Sequence, residues 1–508
     1  MIQNRNPSEQ PKLGRIAVAL FIFHLGAYAL FVAPICVDNL VDFRLTENIA
    51  QSAHLNVNGL DGPLRQYLTR EDGAANLLPK RGIGQGLLQV PFYMVGDAIG
   101  RLSPREGARR DAAAFAVAMF NPTVTAATVT LLFLFCINLQ YTRRVSLIVA
   151  IVYGFASSAF VFAEYNWNSV SAAFTLLTSF YLLRRNTQRP SRCSVVFSGF
   201  VAGCALFIRA DIVVIVPVLA LYLCLSNGRR AEGDRLFTAA LRSLALFVVP
   251  VAFCILGLLW FNQIAFGNIL TTGYGNDPWH YAQIWRKAFP QNARGILIGA
   301  QSGILVYSPI AVIACLGLPL FFKKHAREGI AVVALMLGMF GFYSLFWPVA
   351  STSCFEWGNR FMFPALCVAM LPLAPVTDRI LASRPLRIVA IPLLVMFLGI
   401  QTLGATQFLY RSSVLAAYLK AKDVILPPER MRIHARELFA GHHNIWWIGG
   451  YADLTEFAKD LPDQGAGIPP ALPVTFPCGW FAVPFFCAIV ASGAYLVEAT
   501  RLHDAPHA

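Results

Sequence analysis

Charge is the scarcest commodity in this chain. Asp, Glu, Lys and Arg make up 13% of its 508 residues, while 56% are apolar; soluble domains carry about 25% charged residues. Mean hydropathy is +0.56. Repeated apolar runs of roughly 20 residues exclude a soluble protein with a large core and predict a polytopic membrane protein, so length says nothing about domain count. There is no CxxC among the eleven cysteines. Most of them (Cys136, Cys204, Cys224, Cys254, Cys315, Cys367, Cys487) sit inside apolar runs and read as small packing residues. Cys36, Cys354 and Cys478 fall near segment ends, where a disulfide stays open. No internal repeat, low-complexity tract or inverted symmetry is visible; inverted symmetry would favour a transporter. No small-residue cleavage site follows the first apolar run, which reads as a retained anchor.

The charge that is present is placed with order. The net charge of +14 gathers in short basic clusters between apolar runs: Arg143 and Arg144, RRNTQRPSR (184–192), NGRRAEGDR (227–235), Lys323, Lys324 and Arg327, and Arg379, Arg384 and Arg387. The positive-inside rule produces this pattern, and a nucleic-acid surface does not. The expected spans are about 16–36, 112–139, 145–163, 168–183, two short helices in 195–226 turning at Arg209–Asp211, then 241–262, 300–322, 329–348, 359–381, 387–409 and 477–499. The fold class is therefore all-α, polytopic, with about twelve transmembrane helices and both termini inside. The stretch GQGLLQVPFYMVGDAIG (84–100) is short for a span. Pro91 and its glycines are expected to break it, and it is placed as an interfacial or re-entrant segment.

This parity sends 37–111, 263–299, 349–358 and 410–476 to the extracytoplasmic side. Three of these are long and rich in Trp, Tyr, Asp, Arg and Gly, whereas the cytoplasmic connections are short and basic. An active site belongs on the elaborate side. The expected organisation is a cytoplasmic tail (1–15), a transmembrane catalytic module (16–409) carrying outer loops 37–111 and 263–299, an outer segment 410–476 suited to the acceptor, and a last helix with its tail (477–508). The expected location is the inner (plasma) membrane.

Asp38 stands where the first apolar helix runs into the segment ICVDNLVDFRLTENIAQSAHLNVNG (35–59). It suits a helix cap, where a carboxylate meets free N–H groups and the positive end of the dipole. It equally suits a general base at the membrane boundary. Asp42 lies one helical turn on, and the pair leaves room for a divalent metal. Leu40, Phe43 and Ile49 suit a helix lying along the membrane surface. Arg209 lies in an apolar hairpin, where an arginine costs about 2.5–3.5 kcal/mol unless it reaches a partner or water; Asp211 is the near partner. Arg360 has Glu356 four residues before it, while Lys80 and Arg81 suit headgroups. Glu164, Tyr165 and Trp167 share the turn EYNWN (164–168). Tyr274 heads an aromatic-rich loop that continues through Trp279, His280, Tyr281 and Trp285. His442 and His443 are adjacent and make a poor metal pair.

Four blocks, in order, resemble GT-C glycosyltransferases, which include protein O-mannosyltransferases and bacterial aminoarabinose transferases. The first is Asp38-Asn39, Phe43 and Leu45-Thr46 before an apolar helix ending at Gly59. The family usually has Glu or another polar residue after the Asp, and Asn39 stands there. The others are LLPKRGIGQGLLQVPFYMVG (77–96), FGNILTTGYG (266–275) with GAQSGILVYSP (299–309), and FEWGNRFMFPAL (355–366). The resemblance covers 16–410. It implies transfer of a sugar from a polyprenyl-phosphate carrier to an acceptor hydroxyl, with inversion. Asp38 would then be the catalytic base and Lys80 a contact to the lipid phosphate. Lys80, Arg81, Arg209 and Arg360 are the candidate donor-phosphate residues, and Asp42, Glu164, Tyr165, Tyr274 and Glu356 the candidate substrate residues. The implied partners are the lipid-linked donor, a glycan, lipid or protein acceptor, and membrane lipid. No strong general acid is required, because phosphate leaves as a stable anion; no certain cofactor is implied, and a divalent metal stays open. The rival class is a lipid or sugar transporter or flippase, which keeps charge near the midplane on broken helices.

Overall fold

The computed structural model describes residues 10–32, 37–58, 68–70, 77–79, 82–105, 107–227, 234–271, 289–299, 303–346, 357–405 and 478–501. They are almost all helical. The early elements are α1 (Gln10–Ala29), α2 (Val37–Ser52), a two-stranded antiparallel ribbon of β1 (Leu68–Arg70) and β2 (Leu77–Pro79), α3 (Gly84–Gly100), α4 (Ala108–Ala118), α5 (Phe120–Asn138), α6 (Arg143–Ala156), α7 (Ala159–Glu164), α8 (Asn168–Gln188) and α9 (Arg192–Ile208). A 3-10 turn (Ala210–Val214) leads to α10 (Ile215–Asn227) and α11 (Asp234–Phe266). Then come α12 (Phe289–Ile298), α13 (Ile304–Tyr307), α14 (Ile310–Lys324), α15 (Ala326–Phe346), α16 (Phe363–Ala369), α17 (Leu373–Ala382), α18 (Arg384–Leu403) and α19 (Cys478–Arg501).

Among the described residues, four helices are long and apolar enough to cross a membrane: 108–138, 240–266, 326–345 and 384–403. The pair α16 and α17, bent by 42° at its break, makes a fifth if taken as one span. These apolar helices make the chain a multi-pass membrane protein. The expected count of twelve is not reached on length and apolarity, because several expected spans are broken. The run 145–163 splits at Ser157–Ser158, 300–322 splits at Ser308–Pro309, and 359–381 splits at 370–372. Small polar residues and proline at these points let the backbone leave the helix. At Arg209–Asp211 the break falls where the sequence predicts it. α9 rises along α8 and α10 returns along it, with Tyr222 against Phe180 at 4.9 Å.

The main core is shared by α1, α5, α6, α8, α9, α10, α15 and α16, around Phe133, Phe162, Phe180, Tyr222 and Phe363. A second, smaller core forms around α2, where Leu40, Val41, Phe43 and Leu45 cluster with Ile83, Tyr93, Ala113 and Val117. This corrects the expectation for α2: its apolar face is buried on α3 and α4. α3 instead carries the outward apolar face, with Met94, Val95 and Ile99 each more than half exposed. Pro91 also differs from expectation. It sits inside a continuous α3 on the exposed side, where a missing N–H is tolerated more readily than in a packed face.

Candidate functional site

One cluster of buried polar residues lies at the end of the bundle formed by α2, α3, α5, α8, α9 and α15. Arg209 stands between α9 and the 3-10 turn and is 8% exposed. Its Nε donates to Asp211 Oδ1 at 3.2 Å and one terminal nitrogen to Asp211 Oδ2 at 2.6 Å. The same terminal nitrogen reaches Tyr343 Oη at 3.1 Å, and the other reaches Asn168 Oδ1 at 3.3 Å. Tyr343, near the end of α15, donates its own hydroxyl to Asp211.

Arg360 comes to the same place from the other half of the chain. Gly358 has φ +85°, the left-handed region that glycine enters without strain. Asn359 Oδ1 then accepts the N–H groups of Phe361 and Met362, each at 3.1 Å, an Asx turn that shapes the loop. The Arg360 guanidinium lies 5.1 Å from the Phe361 ring centre and 5.7 Å from that of Trp167. Arg209 lies 5.2 Å from the same Phe361 ring. Tyr165 stacks on Trp167 at 5.5 Å with 28° between planes. Two of the expected phosphate cations and one expected substrate aromatic are thus joined through Phe361 and Trp167. Each cation–ring contact is worth about 0.5–2 kcal/mol.

The second block approaches from the first loop. A Cβ on Gly82 would lie 2.2 Å from the Phe207 carbonyl oxygen, and one on Gly84 2.6 Å from the Ile208 nitrogen. Only glycine permits this approach of backbone to backbone, directly before Arg209. Lys80 and Arg81, immediately upstream, lie outside the described residues, as do Tyr274, Glu356 and the segment 410–476. Asp38 is the second residue of α2, and its backbone alone is described. Asp42, one turn on, is 1% exposed. Among the described residues no group of three or more His, Cys, Asp and Glu is placed to hold a metal ion.

Glu164 closes α7 and is 2% exposed, with no hydrogen-bond partner for Oε1 among the described residues. Burial in the turn between α7 and α8 raises its carboxyl well above the ordinary 4.5. The ring of Tyr165 is joined to the arginines, whereas no contact of the Glu164 carboxyl with them is seen.

Sequence reading missed a chain of buried side chains beside these residues. Thr46 of α2 donates to the carbonyl of Asp42 at 2.8 Å and to the carbonyl of Gly86 and Gln89 Oε1 at 3.2 Å. Gln89 Nε2 donates to Asn166 Oδ1 at 2.5 Å, as does Gln85 Nε2 at 3.2 Å. Ser171 donates to Gln85 at 2.7 Å, and Asn121 Nδ2 to the Trp167 carbonyl at 2.9 Å. The signal was present: Gln85 and Gln89 are four residues apart on one face of a largely apolar helix.

No family model matches the chain, and no curated protein matches it in sequence. Several solved structures resemble it in part. One is the archaeal oligosaccharyltransferase AglB from Archaeoglobus fulgidus in complex with an inhibitory peptide and a dolichol-phosphate, at TM-score 0.44 and 13% identity over 96% of this chain and 64% of that one. The A. fulgidus oligosaccharyltransferase tethered to an acceptor peptide gives 0.42 and 14%, over 89% and 57%. Its complex with Zn and sulfate gives 0.43 and 13%, over 94% and 61%. These neighbours are glycosyltransferases of the GT-C superfamily. The chain spans about three-fifths of the length of the structures it matches, and a likeness at this level leaves the functional reading to the chain's own residues.

Proposed function

We propose that the chain is an integral membrane glycosyltransferase that moves a sugar from a polyprenyl-phosphate carrier to an acceptor hydroxyl on the extracytoplasmic face, with inversion. One observation carries the reading: Arg209 and Arg360, far apart in sequence, meet on the Phe361 ring at the end of the bundle to which α2, the helix bearing Asp38, is tied. Asp38 takes the proton of the acceptor hydroxyl as its oxygen attacks the anomeric carbon. The bond from that carbon to the carrier phosphate breaks, and the electron pair leaves with the phosphate. The phosphate is already stable as an anion, so the site needs cations and no strong acid. Arg209 and Arg360 supply charge there, and Lys80 and Arg81 of the second block are the further cations of this reading. Asp42, Tyr165, Glu164, Tyr274 and Glu356 are the substrate-side residues, and Trp167 and Tyr165 offer a flat face to a sugar ring or isoprenoid.

The test is transfer of a labelled sugar from a polyprenyl phosphate by the purified, reconstituted protein. Asp38→Asn is expected to abolish transfer with donor binding retained; near-normal turnover removes Asp38 from the role of base. Lys80→Ala is expected to weaken donor binding more than turnover. Mass spectrometry of envelope glycans and lipids with and without the protein identifies the sugar and acceptor.

The broken helices at Ser157–Ser158 and Ser308–Pro309 favour the second reading, a transporter or flippase. Against it, the charges of the described core sit at the helix ends, in Arg209, Asp211 and Arg360, and the breaks are lined by serine, with Ser308 Oγ accepting the N–H of Ser158 at 2.9 Å. Movement of labelled lipid across vesicles with no cleavage of a sugar–phosphate bond would establish the transporter.

A further inference from the structure

We propose that Gln89, acting through Thr46, is a positioning residue that sets the register of α2 and thereby the place of Asp38; the role rests on the reading of Asp38 as base. The apolar contact between α2 and α3 is broad, with Leu40, Val41, Phe43 and Leu45 against Ile83 and Tyr93. Such a contact is non-directional and tolerates a slide or roll of the helix. Direction comes from two polar junctions: Gln51 Nε2 donates to Tyr93 Oη at 2.7 Å near the exposed end of α2, and a second, fully buried one is made by Thr46. Thr46 is wholly buried and so is Gln89. The single Thr46 hydroxyl proton is shared among the Asp42 carbonyl of its own helix at 2.8 Å and, across on α3, the Gly86 carbonyl and Gln89 Oε1 at 3.2 Å; Gln89 Nε2 passes the connection to Asn166 at 2.5 Å.

Asn166 is flanked by Tyr165 and Trp167, and the Trp167 ring carries Arg360. A route of hydrogen bonds and one short turn therefore links the helix of the base to the arginines of the donor site. Thr46 is two helical turns beyond Asp38, about 12 Å along a rigid helix. A shift at Thr46 is delivered to Asp38 undiminished, and a general base works only within hydrogen-bond reach of its proton. The amides make the junction selective. Asn166 Oδ1 accepts from both Gln85 and Gln89, and Gln85 Nε2 also donates to Asn121 Oδ1 at 3.4 Å, whose own Nδ2 is held by the Trp167 carbonyl, so turning the amides would set oxygen against oxygen. Removing the Gln89 amide strands buried donors and acceptors on both α2 and the 164–168 turn.

The test uses the full-length protein in lipid nanodiscs with Gln89→Leu, Thr46→Val, the double variant, and Gln89→Glu, which still accepts from Thr46. Gln89→Leu is expected to lower kcat by about tenfold or more while donor KM stays within roughly twofold, since misplacement of a reacting group costs turnover. Thr46→Val, close to isosteric and the variant to rely on if Gln89→Leu folds poorly, is expected to do the same. The double variant is expected to be no worse than the more damaged single one, as for two members of one junction. Gln89→Glu keeps the acceptor for Thr46 but loses the donor to Asn166, so it is expected to recover little of kcat. Unchanged kcat, losses that multiply in the double variant, or a loss confined to donor KM would overturn the proposal. Hydrogen exchange over 37–52 gives a second readout that needs no substrate. It is expected to speed up in Gln89→Leu with α8 unchanged, and unchanged exchange overturns the proposal. Faster exchange in a protein whose wild type transfers no sugar sinks Asp38 as base and leaves Gln89 as the residue that sets α2.

Discussion

The two ends of the helical bundle treat buried charge differently. At the basic end, charge is closed upon charge. Arg184 lies 3.3 Å from Glu328, the Tyr222 hydroxyl donates to Glu328 at 2.9 Å, and Arg327 donates to the Ser226 carbonyl at 3.3 Å. Lys324 lies 3.9 Å from Asp378 and sits over the Tyr141 ring at 5.8 Å. Burial lowers His325 to about 4, so it adds no charge near neutral pH. At the opposite end Arg209 is paired too, but Glu164 Oε1, Asn166 Nδ2 and Ser169 Oγ are buried without hydrogen-bond partners among the described residues. Buried polar atoms are nearly always paired in folded proteins. The basic end has such exceptions as well, Arg184 Nε, Tyr141 Oη and Ser226 Oγ, but its buried acid, Glu328, meets both Arg184 and Tyr222. At the other end the buried acid Glu164 has Oε1 without a hydrogen-bond partner among the described residues.

Substitutions can break this contrast. The largest effect is expected for Asp38→Asn, a loss of transfer on the order of 10²–10⁴, read in single-turnover assays, with thermal unfolding unchanged. Glu328→Ala is its mirror. It leaves Arg184 buried without its acid and is expected to cost about 3 kcal/mol or more, visible in thermal unfolding, while transfer per folded molecule is kept. Arg360→Gln is expected to weaken donor binding by about tenfold with little change in stability. Arg209→Gln is expected to weaken donor binding and also destabilise, because it strands Asp211. Should both arginine variants act alike on stability, the contrast between a held and a working cation fails.

The smallest effect concerns Glu164. Its carboxyl is raised in the folded protein, so the unfolded chain releases its proton first as pH rises through the ordinary 4.5. Stability is therefore full below that value and declines above it. Glu164→Gln is expected to remove this decline: its unfolding midpoint should exceed that of wild type at pH 8 and match it at low pH. A midpoint below wild type at pH 8 would mean that Glu164 is ionised and paired.

Much of the scaffold was legible because it depends on local runs. The basic clusters that marked the inner side in sequence, Arg184 and Lys323–Arg327, do stand at one end, and the break at Arg209–Asp211 falls where two charges interrupt an apolar run. The turn EYNWN separates α7 from α8 as read. The site itself was legible only as single residues. Nothing local shows that Arg209 and Arg360 share Phe361, or that Tyr343 completes Asp211. These partners are joined by tertiary packing of broken helices, and the breaks were hidden inside uniformly apolar runs. The burial of the apolar face of α2 was misread for the same reason, since period alone cannot tell lipid from α3 as the apolar neighbour.

The hydrogen bond between Arg209 and Tyr343 also sets a timetable. The two residues are 134 positions apart, and a ribosome adds roughly 5–20 residues per second. For something on the order of ten seconds during synthesis, the Arg209 side chain stands in the membrane without one of its final partners, and Phe361 arrives later still. Asp211, two residues away, is on hand from the outset. In a nascent chain it serves as the arginine's escort, neutralising a charge that lipid would otherwise resist, until the late helices come to enclose it. The same pairing that looks like mere structure in the finished protein is what lets the most expensive residue of the site enter the bilayer early.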